Sequence, residues 1–371
     1  MKALLLAVVI AACGTDAPPL QVVVPGQPVL FTGKLGTAGW KPIAGAYDAN
    51  ANATTYQIAI SGDFELAVVC QRPSGTFVAT NLLGTADDAE VTLGSWAAPN
   101  CVKDPNGIPP PPTDQLVTIT GMAPPNTTIA VDTFKHVTGA TLFSFMTWPG
   151  IHDVVAYGNA QILITHDVDL GTHPDLGAVP LIEQGAQVIS ATYDLSEATG
   201  SDEIPYAQTQ VWTRNGSVLA WNDPAGSPTF MPASELAAGD QQRFTLGFSA
   251  SDAMSARYAV VTSFDPVPSS FDFLSRLGPA TAPAGLVSAT WTPLTEFYTT
   301  VSVIGVQNSS IQTVTASKLW MERHSTTQLA FDLAVDGYDP AWLLDAPSLY
   351  VQAERWTQGL ALYSRVIPTA P

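Results

Sequence analysis

Apolar residues in this chain recur at every second position in short runs, and the runs end at Gly, Pro, Asn or Asp. Tyr56-Gln57-Ile58-Ala59-Ile60, Phe64 to Cys70 and Tyr206 to Trp212 are examples. A period of two places side chains on alternate faces of a strand. No long run of helical period occurs, so helices cannot be the main elements. Gly 28 and Pro 30 supply turns, while 46% hydrophobic and only 12% charged residues give material for cores and argue against disorder. The expected fold class is all-β: tandem small β-sandwich modules followed by a larger antiparallel β domain.

Punctuation along the chain suggests the division. Runs at Pro28 to Phe31, Trp40 to Ile43, Phe77 to Thr80 and Glu90 to Leu93 read as further strands of a first module, 29–103. Pro109-Pro110-Pro111-Pro112 favours extended polyproline II and cannot pair inside a sheet, which marks 104–115 as a linker. A second module, 116–200, opens at Leu116 to Gly121. Tyr56 to Cys70 and Phe143 to Tyr157 share a pattern: an aromatic residue, an alternating strand, a glycine turn, and a strand carrying a Val-Val pair. Two related sandwich modules would produce this, as would a coincidence between two hairpins. In the C-terminal domain, 201–371, Asn215-Gly216 joins Tyr206–Trp212 to Ser217–Trp221 as a hairpin. Strands follow at Arg243 to Phe248, Ala256 to Phe264, Leu286 to Pro293, Tyr298 to Val306, Val314 to Arg323, Leu329 to Ala334 and Leu349 to Tyr363, the last broken by Gln358-Gly359. Ser270 to Leu277 and Pro340 to Leu344 read as short helical turns.

The N-terminus gives an address. Lys2, the unbroken apolar run Ala3 to Ala12 and the small residues before Cys13 have the layout of a signal peptide, 1–12. The run is too short to span a bilayer. Ile10-Ala11-Ala12-Cys13 resembles the lipobox of bacterial lipoproteins. The resemblance implies a thioether-linked diacylglycerol on Cys13, usually with a third acyl chain on its amine. Such chains anchor stably where one would be marginal. Residues 13–28 then form the lipidated start and a tether, and the protein belongs to the bacterial cell envelope, at the outer membrane or cell surface. An ordinary signal peptide with an incidental cysteine is the alternative. With Cys13 so assigned, Cys70 and Cys101 remain. In an exported protein they read as a disulfide, against two buried free thiols.

Val117 to Gly121 with Pro149 to Ala156 resembles the opening strand and hairpin of carboxypeptidase-regulatory-like, or transthyretin-like, β-sandwiches. The likeness covers roughly Leu116 to Leu181 and implies a structural or binding appendage. The lipobox, Leu66-Ala67-Val68-Val69-Cys70 and Leu236-Ala237-Ala238-Gly239-Asp240 together resemble exported lipoproteins of myxobacterial and related bacteria, which implies location and no activity.

A formal charge of −18, with 14 basic residues and no basic cluster, excludes a nucleic-acid footprint. His166, Asp167, Asp169 and His173 are the candidate ligands for a divalent cation such as calcium or zinc, with His152-Asp153 on the preceding hairpin. On a regular strand His166 faces away from Asp167 and Asp169, so one strand cannot bring all of them to one ion. The spacing is not that of an EF-hand, and no His-Glu-x-x-His, Gly-x-Ser-x-Gly, Ser-x-x-Lys or P-loop pattern occurs. No catalytic residue is assigned. Trp148, Trp212, Trp221, Trp342 and Trp356 are candidates for stacking on sugars or anchoring a protein partner, against the plainer role of core residues. The function expected is a lipid-anchored envelope protein with a non-enzymatic binding or scaffolding role and a protein or glycan partner. The alternative is a surface hydrolase acting on polysaccharide or peptide.

Overall fold

The computed structural model describes residues 19–71, 75–95, 99, 101, 116–132, 134–139, 141–171, 175–178, 185–196, 200, 202–264, 266–332, 335, 337–357 and 359–370. Cys13, the proline linker and His173 lie outside the described residues. The chain is all-β, as its alternation requires, with several antiparallel and mixed sheets.

The first sandwich packs a three-stranded sheet, in the order Leu20–Pro25, Ala53–Ile58, Gly45–Asp48, over Leu30–Leu35, Asp63–Gln71 and Phe77–Thr85. Asp63–Gln71 shows why. Its Phe64, Leu66, Val68 and Cys70 point into this core, with Val22, Val24, Tyr56 and Ile58 opposite. Val69, one position out of phase, enters a different core on the other face. Phe64 and Leu66 are fully buried, each contributing roughly 1.5–3 kcal/mol relative to exposure. Cys70 and Cys101 form a disulfide, with Cα atoms 4.8 Å apart.

The second sandwich repeats this plan. Leu20–Pro25 pairs with Ala53–Ile58 as Val117–Met122 pairs with Leu142–Thr147. Leu30–Leu35 pairs with Asp63–Gln71 as Thr128–Val131 pairs with Ile151–Gly158. Asp63–Gln71 pairs with Phe77–Thr85 as Ile151–Gly158 pairs with Gln161–Asp169. In both copies the glycine turn crosses between the two sheets, so the repeated segment is not a hairpin in either. Gly62 and Gly150 take φ of 89° and 127° there, which residues with a Cβ rarely adopt.

A twelve-stranded sheet unites the ends of the chain. Its order is Val218–Asp223, Glu203–Trp212, Gln241–Ala250, Ser255–Val261, Leu360–Val366, Ser348–Thr357, Thr300–Gln307, Ser310–Ser317, Phe77–Thr85, Asp63–Gln71, Leu30–Leu35, Lys41–Pro42. The first module joins it through a parallel pairing of Phe77–Thr85 with Ser310–Ser317. One face of the sheet carries the main core, where Val303, Val314, Val351 and Leu362 meet Ala289, Trp291 and Leu329 of a three-stranded sheet. At the far end the second sandwich docks: Ala130, Val155 and Ile162 on the back of its five-stranded sheet pack on Val211, Leu219 and Trp221. Tyr157 and Trp221 stack there with ring centroids 4.5 Å apart.

The structure departs from expectation in four places. Leu20–Pro25, within the expected tether, is a folded strand, because Val22 and Val24 alternate into the first core. Glu90 to Leu93 belongs to the helix Ala89–Ser95. Val314 to Arg323 is a strand only to Ser317, whose Oγ accepts the Trp320 N–H and starts the helix Lys318–Arg323. Ser270 to Leu277 forms no helix, whereas Pro340–Trp342 is a 3₁₀ turn.

Candidate functional site

Of the sequence-derived site residues, His166 and Asp167 fall at the junction between the second sandwich and the long sheet. Asp153 lies on Ile151–Gly158, opposite Gln161–Asp169. The pairing slips there: His152 faces Val168 and Val154 faces Thr165, so Asp153 is opposed by both His166 and Asp167. This is a β-bulge, and Asp167 takes φ of 58° within it. The bulge defeats strict alternation. The Asp167 backbone N–H donates to Asp153 Oδ1 at 3.0 Å, and His166 Nδ1 lies 3.1 Å from Asp153 Oδ2. That second approach is close but lacks the alignment of a hydrogen bond, leaving the buried Nδ1 without an aligned partner.

The hairpin turn of the C-terminal domain closes over this bulge. Asn215 donates from Nδ2 to Asp153 Oδ1 at 2.9 Å and to Asp167 Oδ1 at 3.0 Å, and from its backbone to Asp153 Oδ2 at 3.2 Å. Arg214 pairs with Asp167. Ser217 Oγ donates to the Asp153 carbonyl at 2.5 Å and accepts the Asp132 N–H at 2.8 Å. Asp240, in the turn before Gln241–Ala250, accepts from the Arg214 and Ala237 backbones and lies 3.2 Å from His166 Nε2. His166 thus sits between two carboxylates.

Asp153 is fully buried. Burial alone pushes its carboxyl up. The bonds from the Asp167 backbone, Thr213 and Asn215, with the His166 ring close by, outweigh burial and hold it at about 2. It is therefore a fixed negative charge.

Asp153, His166 and Asp240 bring one ligand atom each within 4.8 Å of one another. Among the described residues these three could hold a cation, and His166 is the member they share with the sequence-derived set. One imidazole with two carboxylates suits zinc better than calcium, which takes 6–8 oxygens. Backbone amides already occupy oxygens of both carboxylates, so a cation would have to displace them. Asp169 points elsewhere and accepts from Gly171 N at 2.9 Å. His152 pairs with Asp132 at 2.8 Å. Sequence reasoning missed Asp240, Arg214, Asn215 and Ser217. The Asn215-Gly216 turn was visible, but nothing in the sequence says that it lands on a bulge in another module.

A second feature is the face of the long sheet opposite its main core. Register places Tyr206, Gly247, Tyr258, Tyr363 and Glu354 side by side on five neighbouring strands. Tyr258 and Tyr363 stack with centroids 4.9 Å apart. Arg243 lies 4.6 Å over Trp212, and Arg365 lies 5.2 Å over Tyr350. Trp356 is 44% exposed. The tryptophan candidates therefore divide: Trp221 and Trp342 are core, Trp148 packs edge-on against Phe134, and Trp212 and Trp356 belong to this open face. Burial among these rings pushes the Glu354 carboxyl up to about 7, an effect that its bond with Tyr363 only moderates.

Compared with known proteins, the chain matches no protein-family model and no curated protein. Among the described residues no helix is long and apolar enough to cross a membrane.

Proposed function

We propose that the chain is a lipid-anchored protein of the bacterial cell envelope with a non-enzymatic binding role, holding a partner on the open face of its long sheet. The observation that carries the reading is the composition of that face. Antiparallel sheets commonly leave one face to water and line it with small polar or charged residues. Here four tyrosines, two tryptophans and two arginines stand on it instead, all partly buried except the exposed Trp356. Tyr, Trp and Arg are the residues that dominate binding surfaces, because they offer large rigid contact areas with polar ends. The first sandwich is continuous with this sheet and the second is latched to it through Asp153, so both work as supports for a fixed surface. The lipobox-like Ile10-Ala11-Ala12-Cys13 supports the anchor.

One observation favours a surface hydrolase as a second reading. Glu354, held up near 7 at the centre of the face, has the protonation behaviour of a general acid. A glycosidase needs a second carboxylate facing it.

Metabolic labelling with palmitate tests the anchor. The reading expects label on the wild type and its loss, with release from membranes, in Cys13→Ser. Unchanged labelling and retention contradict it. Turnover on a panel of glycans and peptides, abolished by Glu354→Gln, would replace the binding role with the hydrolase.

A further inference from the structure

We propose that the open face of the long sheet binds a neutral, hydroxyl-rich polysaccharide laid across its strands. This rests on the binding role just proposed and names the ligand class.

The geometry is that of a platform. Tyr206 to Glu354 spans four strand spacings, about 19 Å at about 4.8 Å each. Gly247 occupies the position between Tyr206 and Tyr258. A Cβ there would come within 2.5 Å of the Tyr258 Cβ, so glycine is what lets the row of rings close up. A row of partly exposed rings across strands suits an extended polymer better than a compact small molecule, which prefers a concave site. Ring faces are the surfaces on which the C–H faces of sugar rings stack, and rigid rings lose little entropy on binding.

The polar groups beside the rings are held ready. Arg243 donates to Gln210 Oε1 from Nε at 2.9 Å and from Nη2 at 2.6 Å. Gln210 donates to Gln208 at 3.2 Å, and Gln208 to Asn222 at 3.1 Å. Tyr258 donates to Gln352 at 3.0 Å. This fixed ladder of amides and a guanidinium presents alternating donors and acceptors, the complement of paired hydroxyls, at reduced ordering cost.

Charge selects among polysaccharides. Neither Arg243 nor Arg365 has a carboxylate within ion-pair distance among the described residues, and Glu354 lies diagonal to Arg365 across the strand pair. The face carries two guanidinium charges against one carboxyl held up near 7, so it is the −18 of the whole molecule that repels a polyanion.

Affinity electrophoresis of the full chain in detergent tests this. Gels contain a β-glucan, a mannan, a galactomannan or a xylan, with alginate and polygalacturonate as acidic counterparts. At least one neutral gel should retard the wild type. Retardation should weaken roughly tenfold in Trp356→Ala and in Tyr258→Ala, and persist in Tyr258→Phe, which keeps the ring. Trp356 is exposed enough for its variant to fold, which an unchanged melting temperature checks; Leu142→Ala, on a remote exposed strand, should bind as wild type. The inference is overturned if no neutral gel retards the chain, if only acidic gels do, or if Trp356→Ala and Tyr258→Ala migrate as wild type. Reducing ends are measured in parallel. Absence of retardation of the wild type in every neutral gel, without turnover, sinks the ligand class and leaves the binding role standing. Release of reducing ends from a gel that retards the chain sinks the non-enzymatic role instead and leaves the ligand class standing.

Discussion

Replacing Asp153 by Asn keeps the shape of the side chain and removes its charge. In the wild type, Oδ1 accepts from Asp167 N and Asn215 Nδ2, and Oδ2 accepts from Asn215 N. Whichever way the new amide turns, its NH₂ meets an N–H donor. Bonds to a charged acceptor contribute about 1.5–3 kcal/mol each. The better orientation puts the NH₂ at the Oδ2 position, loses the bond from Asn215 N and leaves the two at Oδ1 on a neutral acceptor, at about 3–5 kcal/mol together. The pH dependence gives an independent check. Asp153 is held at about 2 in the folded chain against an ordinary value of 3.8. Between those values the unfolded chain binds more protons, so stability rises with pH there and is lost as pH falls through about 2. That difference corresponds to about 2 kcal/mol. Urea unfolding followed by fluorescence, with Trp221 at the junction as a reporter, measures both effects. The wild type should lose about 2 kcal/mol between pH 4 and pH 2 from this group. Asp153→Asn should start about 3–5 kcal/mol lower and lack that step. A variant within about 0.5 kcal/mol of wild type, the range of an ordinary surface change, or one with an unchanged acid step, would refute the reasoning.

Reducing the Cys70–Cys101 bond, which closes a separation of 31 residues, should destabilise by about 3–4 kcal/mol on the chain-entropy model. The melting temperature of wild type should then fall with reductant, and that of Cys101→Ser should not respond. Burial holds Glu354 at about 7 against 4.5, so the folded chain binds more protons than the unfolded one between those values and stability falls as pH rises through them. Glu354→Gln should remove that fall and be up to about 3 kcal/mol more stable than wild type near pH 8, read from denaturant midpoints. Gly247→Ala places a Cβ 2.5 Å from Tyr258 Cβ and 2.6 Å from the Arg257 carbonyl, and should cost about 1–3 kcal/mol in the same assay.

Period-two alternation carries much of this fold on its surface. Phe64, Leu66, Val68 and Cys70 declare a strand and its buried face, and Asn215-Gly216 declares a hairpin. What alternation cannot express is which distant strand lies beside which. The parallel pairing of Phe77–Thr85 with Ser310–Ser317 is a long-range match between two β-prone runs, and no local signal marks it. The helices had local signals that β-branched content masked. Asp87-Asp88 precede Ala89–Ser95, and Ser317 caps Lys318–Arg323. At the junction, His166 and Asp167 stood out by composition. Their joint approach to Asp153 depends on a bulge, and a bulge adds one residue without any obligatory sequence mark. The open face was hidden for a related reason: Tyr206, Tyr258 and Tyr363 become a row only once three strands are set in register.

The central claim, that the open face is occupied in the envelope, is tested most directly by hydroxyl-radical footprinting on living cells and on the purified chain. Trp356, Tyr258 and Tyr363 report the face, while Leu142 and Ile151, both exposed on the second sandwich, report general accessibility. The account predicts that the face residues are labelled in the purified chain and protected on cells, with Leu142 and Ile151 labelled equally in both. Equal labelling of Trp356 in the two states would contradict it.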